Sequence, residues 1–236
     1  MRVVVLGATS AIAQAASRVW AERGDSLLLV GRDPSRLEAV ADDLRTRGGV
    51  VEVLAQDLNT DHAALVARLG APDVVLLAQG ILGDARQRDS DPDTAELVLR
   101  TNLVAPARLL TLLAPRLPVG SCIAALSSVA GDRGRAKVGV YGASKAGLDS
   151  LLSALRQRMQ AAGVRVLTLK PGFVDTPMTA ALPHTPLFAS AAEVGRGIVR
   201  AVDARRDGVV YLPWWWRLVM LAIKALPERV FKRLTF

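Results

Sequence analysis

The chain of 236 residues is poor in the side chains from which metal sites and disulfide scaffolds are built. It has one cysteine, Cys122, so neither an internal disulfide nor a CxxC pair can form. Two histidines, His62 and His184, beside a single thiol do not make a zinc set, and no metal is expected. His184 has no evident partner and reads as structural. Acidic residues number 22 against 30 basic ones, a net charge of +8. That balance favours phosphates or an anionic membrane as partners and says nothing about fold. No motif supports nucleic-acid binding. Long apolar runs are also missing. Val3–Leu6 meets Gly7 after four residues, whereas a secretory core needs about 7–15. No stretch reaches the ~18 uninterrupted apolar residues of a membrane span. The expected location is cytoplasmic, with room for a peripheral position on the inner face of the membrane.

What is present is core material: 51% of residues are hydrophobic, which excludes disorder and collagen-like structure. Short apolar runs at 3–6, 26–30, 51–56, 73–78, 121–127, 164–170 and 209–212 read as strands. Amphipathic stretches at 12–23, 34–47, 61–69, 94–117, 141–162 and 191–204 read as helices. This alternation, with strands lacking polar alternation, predicts an α/β fold around a parallel sheet covered on both faces. Residues 1–212 form one domain on this reading, and 213–236 a basic, apolar helical tail.

The first strand runs into Gly7-Ala8-Thr9-Ser10-Ala11-Ile12 and then a helix. A strand–turn–helix junction gathers backbone N–H groups and a positive dipole end, which suits a pyrophosphate. The second strand ends in Gly31-Arg32, with no acid to hold a ribose 2′-hydroxyl. A guanidinium there favours a 2′-phosphate, hence NADP(H) over NAD(H). Asp57 and Leu58 follow the third strand, where they are expected to flank an adenine, and Ala78-Gln79-Gly80 follows the fourth.

Tyr141 and Lys145 are four apart at a helix start and therefore share a face. An ammonium nearby is expected to lower the phenol from its ordinary pKa near ~10 and make proton exchange feasible. Ser128, thirteen residues earlier, ends a strand and offers a hydroxyl to the same carbonyl oxygen. Pro171, Gly172, Val174 and Thr176 end the sixth strand, where backbone and hydroxyl groups suit a carboxamide. Pro106 lacks the N–H that would satisfy the carbonyl of Asn102 four residues earlier.

With these motifs in order, the chain resembles the short-chain dehydrogenase/reductase family from Gly7 to about Leu212. The resemblance implies a Rossmann-type, doubly wound sheet of about seven strands, a nicotinamide cofactor, and hydride exchange between a carbonyl and an alcohol. It assigns catalytic roles to Asn102, Ser128, Tyr141 and Lys145, the last two also touching cofactor, and it implies a homodimer or homotetramer. The chain departs from the family pattern at Ala11 and Ala13, where glycine is usual, and at Leu77-Ala78-Gln79-Gly80.

Three cations, Arg133, Arg135 and Lys137, lie in the loop between Ser128 and Tyr141. They suit a substrate phosphate, or equally a solvated face. Met178, Leu182 and Phe188 lie in a proline-rich stretch that reads as a lid over an apolar substrate, or as residues packed on the body. The tail, with Trp214-Trp215-Trp216 and scattered cations, reads as an interfacial membrane helix or as a helix docked on its own fold or a second subunit. Residues 81–84, 141–149 and 227–234 resemble a branch of the family that reduces keto-sugars carried on polyprenyl phosphates. That resemblance implies a lipid-linked ketone substrate and a flavoprotein oxidase partner. A 3-oxoacyl or other lipid ketone is the competing substrate, and a cofactor sensor without turnover the competing class.

Overall fold

The computed structural model describes residues 1–84, 87, 89–183 and 185–234. The reading of His184 falls outside these. The elements follow in the order β1 (Arg2–Leu6), α1 (Ala11–Ala21), β2 (Ser26–Gly31), α2 (Pro34–Thr46), β3 (Val50–Ala55), α3 (His62–Arg68) and β4 (Val74–Leu77). Next come α4 (Pro92–Leu99), α5 (Ala105–Leu113), β5 (Cys122–Leu126), α6 (Gly139–Met159), β6 (Arg165–Pro171), β7 (Val174–Asp175) and β8 (Ala189–Ser190). The chain closes with α7 (Ala191–Asp203), β9 (Gly208–Leu212), α8 (Trp216–Ala225) and α9 (Glu228–Phe231).

Seven parallel strands form one sheet in the order β3-β2-β1-β4-β5-β6-β9. Alternate residues of β1 show why both faces are covered. Val3 and Val5 pack with α1, α2 and α7, whereas Val4 and Leu6 pack with α3, α5 and α6. This is the single-domain, doubly wound Rossmann sheet expected. The strand order turns back between β1 and β4, and ligands of such sheets bind in the crevice at the carboxyl ends there. Gly7 and Ala78–Gly80 occupy that crevice.

Two features depart from the sequence reading, and a third matches one of the alternatives it left open for the tail. The helix expected over 94–117 is composite: α4, a π-turn over Arg100–Val104, α5, and a 3₁₀ turn over Ala114–Arg116. Pro106 cannot donate to the carbonyl of Asn102, and the chain relaxes by widening a turn there. This composite run, Pro92–Arg116, is long and apolar enough to cross a bilayer, with a mean hydropathy of 1.4, but half of that window is buried in the fold. Second, β7 and β8 pair over only two residues each, too few for any periodicity to show. Third, one face of the tail is docked: Trp216 and Met220 are 3% and 1% exposed and pack on Val129, with Phe173, Tyr211 and Ile223 around them.

Candidate active site

At the nucleotide end the backbone does most of the shaping. Gly7 has φ +85°, and a Cβ there would lie 2.6 Å from the amide nitrogen of Gln79, so only glycine lets β1 and β4 approach this closely. The Gly7 and Ala8 N–H groups donate to the Val30 carbonyl, at 2.9 and 3.1 Å. The Ser10 hydroxyl makes no cap bond, so the first-turn N–H groups of α1, from Ala11 and Ile12 onward, keep their capacity for an anion. The Thr9 carbonyl accepts from the Gln14 side chain at 3.0 Å, fixing the turn. The buried Gln79 Oε1 has no partner, while its Nε2 donates to the Thr101 carbonyl at 2.9 Å. A cradle of close backbone, open helix N–H groups and one orphaned buried acceptor fits a dinucleotide.

Gly31 is buried, and a Cβ there would meet Leu37 at 3.2 Å. An acidic side chain at this position would have to displace Leu37. The next acid, Asp33, already caps α2, accepting from the Arg36 N–H at 3.1 Å and the Ser35 hydroxyl at 2.7 Å. Arg32 is exposed beside it. The adenine flank differs from expectation. The Leu58 side chain is buried in the core at 5% exposure, and Asp57 Oδ1 closes a turn by accepting from Asn59.

Four candidate catalytic side chains converge beyond β4 and β5. Asn102, fully buried in the π-turn, exchanges two hydrogen bonds with the Ile81 main chain, each of 2.8 Å, and donates to Ser144 Oγ at 3.1 Å. Ser144 in turn donates to the Tyr141 carbonyl at 2.7 Å. Asn102 therefore ties the loop after β4 to α6. Ser128 lies close enough to the Tyr141 phenol to favour its ionised form, and accepts from the Ala130 N–H at 3.1 Å. Lys145, 3% exposed, places Nζ 5.8 Å from the Tyr141 ring centre and donates to the Leu126 carbonyl at 3.0 Å. A Cβ on Gly80 would lie 3.3 Å from Asn102 Oδ1 and 3.4 Å from Lys145 Nζ. The missing side chain at Gly80 thus leaves the approach to both groups open.

The electrostatics correct one expectation. The Tyr141 pKa is raised, because burial outweighs the Ser128 hydrogen bond and the Arg135 charge that favour the phenolate. The Arg135 charge, which the spacing of Tyr141 and Lys145 did not suggest, also acts on the phenol. Burial lowers Lys145 to about 8, against the pull of Asp149. Asp149 belongs to a cluster that sequence reasoning missed. Lys170 pairs with Asp132 and, at 2.7 Å, with Asp149, and Tyr211 donates to Asp132 at 2.8 Å. The helical spacing of Tyr141, Lys145 and Asp149 was the available signal, since all three share one face of α6.

The basic loop is divided. Arg133 does not stand open to a substrate phosphate: its guanidinium donates to the Ile223 and Leu226 carbonyls at 2.6 and 2.7 Å and to Glu228 at 2.9 Å, and it lies over the Phe231 ring. It caps the end of α8. Arg135 is half-buried, with its Nε lacking a partner. It lines a cavity of about 270 Å³ together with Lys232, Phe231 and Leu234. Lys137 is exposed. In the lid stretch Phe188 stacks on Phe173 at 5.3 Å, while Met178 and Leu182 are 46% and 39% exposed.

Beyond β6, the Gly172 N–H donates to the Leu212 carbonyl at 3.0 Å, Val174 is buried, and Thr176 closes a capping box with Thr179. Pro171 pairs with Leu212 across the sheet. A Cβ on Gly172 would fall 1.8 Å from Trp216 Nε1, so the tail lies directly on this segment. Nothing in the local sequence of Pro171–Thr176 announces that contact.

Residues 1–186 match the family model described as short chain dehydrogenase. An uncharacterized oxidoreductase of Mycobacterium tuberculosis, Rv2073c, is 35% identical over 242 residues, covering 98% of this chain and 96% of that protein. A Streptomyces coelicolor oxidoreductase from the mprA 5′ region is 37% identical, covering 98% and 95%. Among solved structures, a short chain dehydrogenase/reductase family protein superposes with a TM-score of 0.78 at 25% identity, covering 90% of this chain and 95% of that one. An actinorhodin polyketide ketoreductase solved with NADPH shares the fold, with a TM-score of 0.76 at 21% identity, covering 89% and 95%. The chain belongs to the short-chain dehydrogenase/reductase family. It is an oxidoreductase with the family's nicotinamide-binding fold.

Proposed function

We propose that the protein is an NADPH-dependent ketone reductase for an amphipathic, anionic substrate, a keto-sugar carried on a polyprenyl phosphate. The observation that carries the reduction is the convergence of Ser128 and Tyr141 beside a buried Lys145. The Gly7 turn and the first-turn N–H groups of α1 would hold the pyrophosphate, Arg32 the 2′-phosphate, and Lys145 the ribose beside the nicotinamide. When bound, NADPH supplies a hydride to the carbonyl carbon and leaves as NADP⁺.

The chain's own residues do the rest. Ser128 and Tyr141 hydrogen-bond the ketone oxygen. Tyr141 then gives its proton to that oxygen, so ketone, hydride and proton become a secondary alcohol. A raised phenol pKa keeps Tyr141 protonated at neutral pH, which suits proton donation rather than abstraction. Lys145 stabilises the phenolate left behind, and Asn102 supports resupply of the proton through the opening at Gly80.

The lipid-linked reading rests on the cavity beside Arg135 and Lys232. Two cations next to Phe231 and Leu234 suit a phosphate with an apolar chain, and Glu228, which also lines the cavity, is paired with Arg133. It agrees with the resemblance to the reductase subunit of decaprenylphosphoryl-β-D-ribose 2′-epimerase, for which a flavoprotein oxidase supplies the ketone. NADPH oxidation with a polyprenyl-phosphoryl 2-keto-pentose and, separately, a 3-oxoacyl thioester tests both levels. Turnover of the keto-sugar, lost about 10²–10⁴-fold in Tyr141→Phe with NADPH binding retained, is the expected result. Turnover of the thioester alone overturns the substrate, and a fully active Tyr141→Phe overturns the mechanism.

A further inference from the structure

The docked tail leaves a second face outward. Trp214, Leu218 and Leu221 are 71%, 58% and 54% exposed. Leu218 and Leu221 share one stripe of α8, and Trp214 lies in the turn that leads into it. Arg217 and Lys224 lie on the same exposed side, followed by Arg229, Lys232 and Arg233. The segment from Pro213 onward carries five cations and a single acid, Glu228. That acid is already paired with Arg133. An apolar stripe bordered by cations, with its one carboxylate neutralised internally, has a definite complement.

We propose that this face of α8 docks on the surface of an anionic lipid bilayer. Tryptophan and leucine enter the headgroup boundary while arginine and lysine meet lipid phosphates. A second copy of the chain is a poor occupant, because the two tails would bring like charges together. An acidic protein would match the cations and leave Trp214, Leu218 and Leu221 without a partner.

The opposite face of the same helix explains what docking would do. Trp216 stacks with Trp215 at 5.0 Å and meets the edge of Phe173 at 5.6 Å, and Phe173 stacks on Phe188 of the lid stretch. Trp216 also covers Gly172, and Met220 packs with Val129, next to Ser128. The membrane face and the mouth of the site are thus two sides of one helix. Docking would hold the mouth at the bilayer, where a substrate with a long apolar chain resides. The binding itself stands independently of the substrate reading.

The test is sedimentation of the full chain with vesicles of phosphatidylcholine alone and of phosphatidylcholine with one quarter phosphatidylglycerol. Binding is expected to the mixed vesicles at low salt, with a blue shift of tryptophan emission, and to weaken in high salt. Leu218→Ser with Leu221→Ser should abolish the blue shift. Arg217→Gln with Lys224→Gln should lower the partition coefficient roughly thirtyfold, about fivefold per cation near an anionic surface. All four positions are exposed, and an unchanged melting temperature verifies the fold. Failure of the wild type to bind mixed vesicles overturns the proposal. So does binding unchanged in both variants, or a dimer in solution that Leu218→Ser with Leu221→Ser dissociates.

Discussion

The two ends of the crevice use their cations in opposite ways. At the nucleotide end Arg32 stands exposed after a strand whose last residue, Gly31, carries no carboxylate and packs against Leu37. At the substrate end Arg133 is bound into the tail by two carbonyls and a carboxylate. One arginine is left exposed at the mouth of the crevice, and the other holds the protein together. The nucleotide end is built from backbone, small residues and contacts local to each strand–turn–helix unit. The substrate end is assembled from pieces some ninety residues apart, Arg133 with Ile223. The difference explains why a shared cofactor fold accepts different substrates, since specificity resides in the non-local half.

The largest effect that would sharpen this comparison is on the tail. Trp216→Ala removes a buried ring from Gly172 and Phe173, and is expected to cost about 3–5 kcal/mol in denaturant unfolding. A loss under 1 kcal/mol would mean that the tail is not an integral part of the substrate end.

A smaller effect is expected at the nucleotide end, where Arg32→Glu removes a charge-assisted contact worth about 1.5–3 kcal/mol. NADPH affinity should fall at least about tenfold while the melting temperature stays unchanged. Equal NADPH affinity in the variant would dissolve the contrast between a presented and a structural arginine.

The mildest effect concerns pH. Burial lowers Lys145 to about 8, so its cation is present below that pH and lost above it. The kcat/KM for reduction should therefore fall as pH rises through about 8, because that ratio reports the free enzyme. Asp149 pulls the Lys145 pKa upward, so Asp149→Asn should move the descending limb to lower pH. A profile flat to pH 10, unmoved by the substitution, would remove Lys145 from the proton path.

The order of strands and helices was legible because apolar runs of four to seven residues alternate with amphipathic stretches, and tertiary packing obeys that alternation. Gly7, Ser128, Tyr141 and Lys145 were legible because turn geometry and helical spacing are local, whereas Asn102 stood out as a site residue only through the family resemblance. The commitment of Arg133 was not, since a guanidinium in a loop has the same sequence signature whether it meets a phosphate or a helix end. The contribution of Arg135 to the charge around Tyr141 left no signal either, since the helical spacing points only to Lys145. The pairing of β7 with β8 was too short to leave a pattern.

The π-turn at Arg100–Val104 carries a consequence for any rebuilding of this chain. It is a register shift that absorbs one extra residue between α4 and α5. Each residue of an α-helix advances the chain by about 100°. Because the bulge absorbs that advance, deleting one residue there would leave α4 and α5 in phase and shift only the residues of the turn itself, Asn102 among them. Asn102 would leave Ile81 and Ser144, and the loop after β4 would lose its tie to α6. The oddest turn of the longest helical run is in this sense an alignment device, and a better helix would make a worse site.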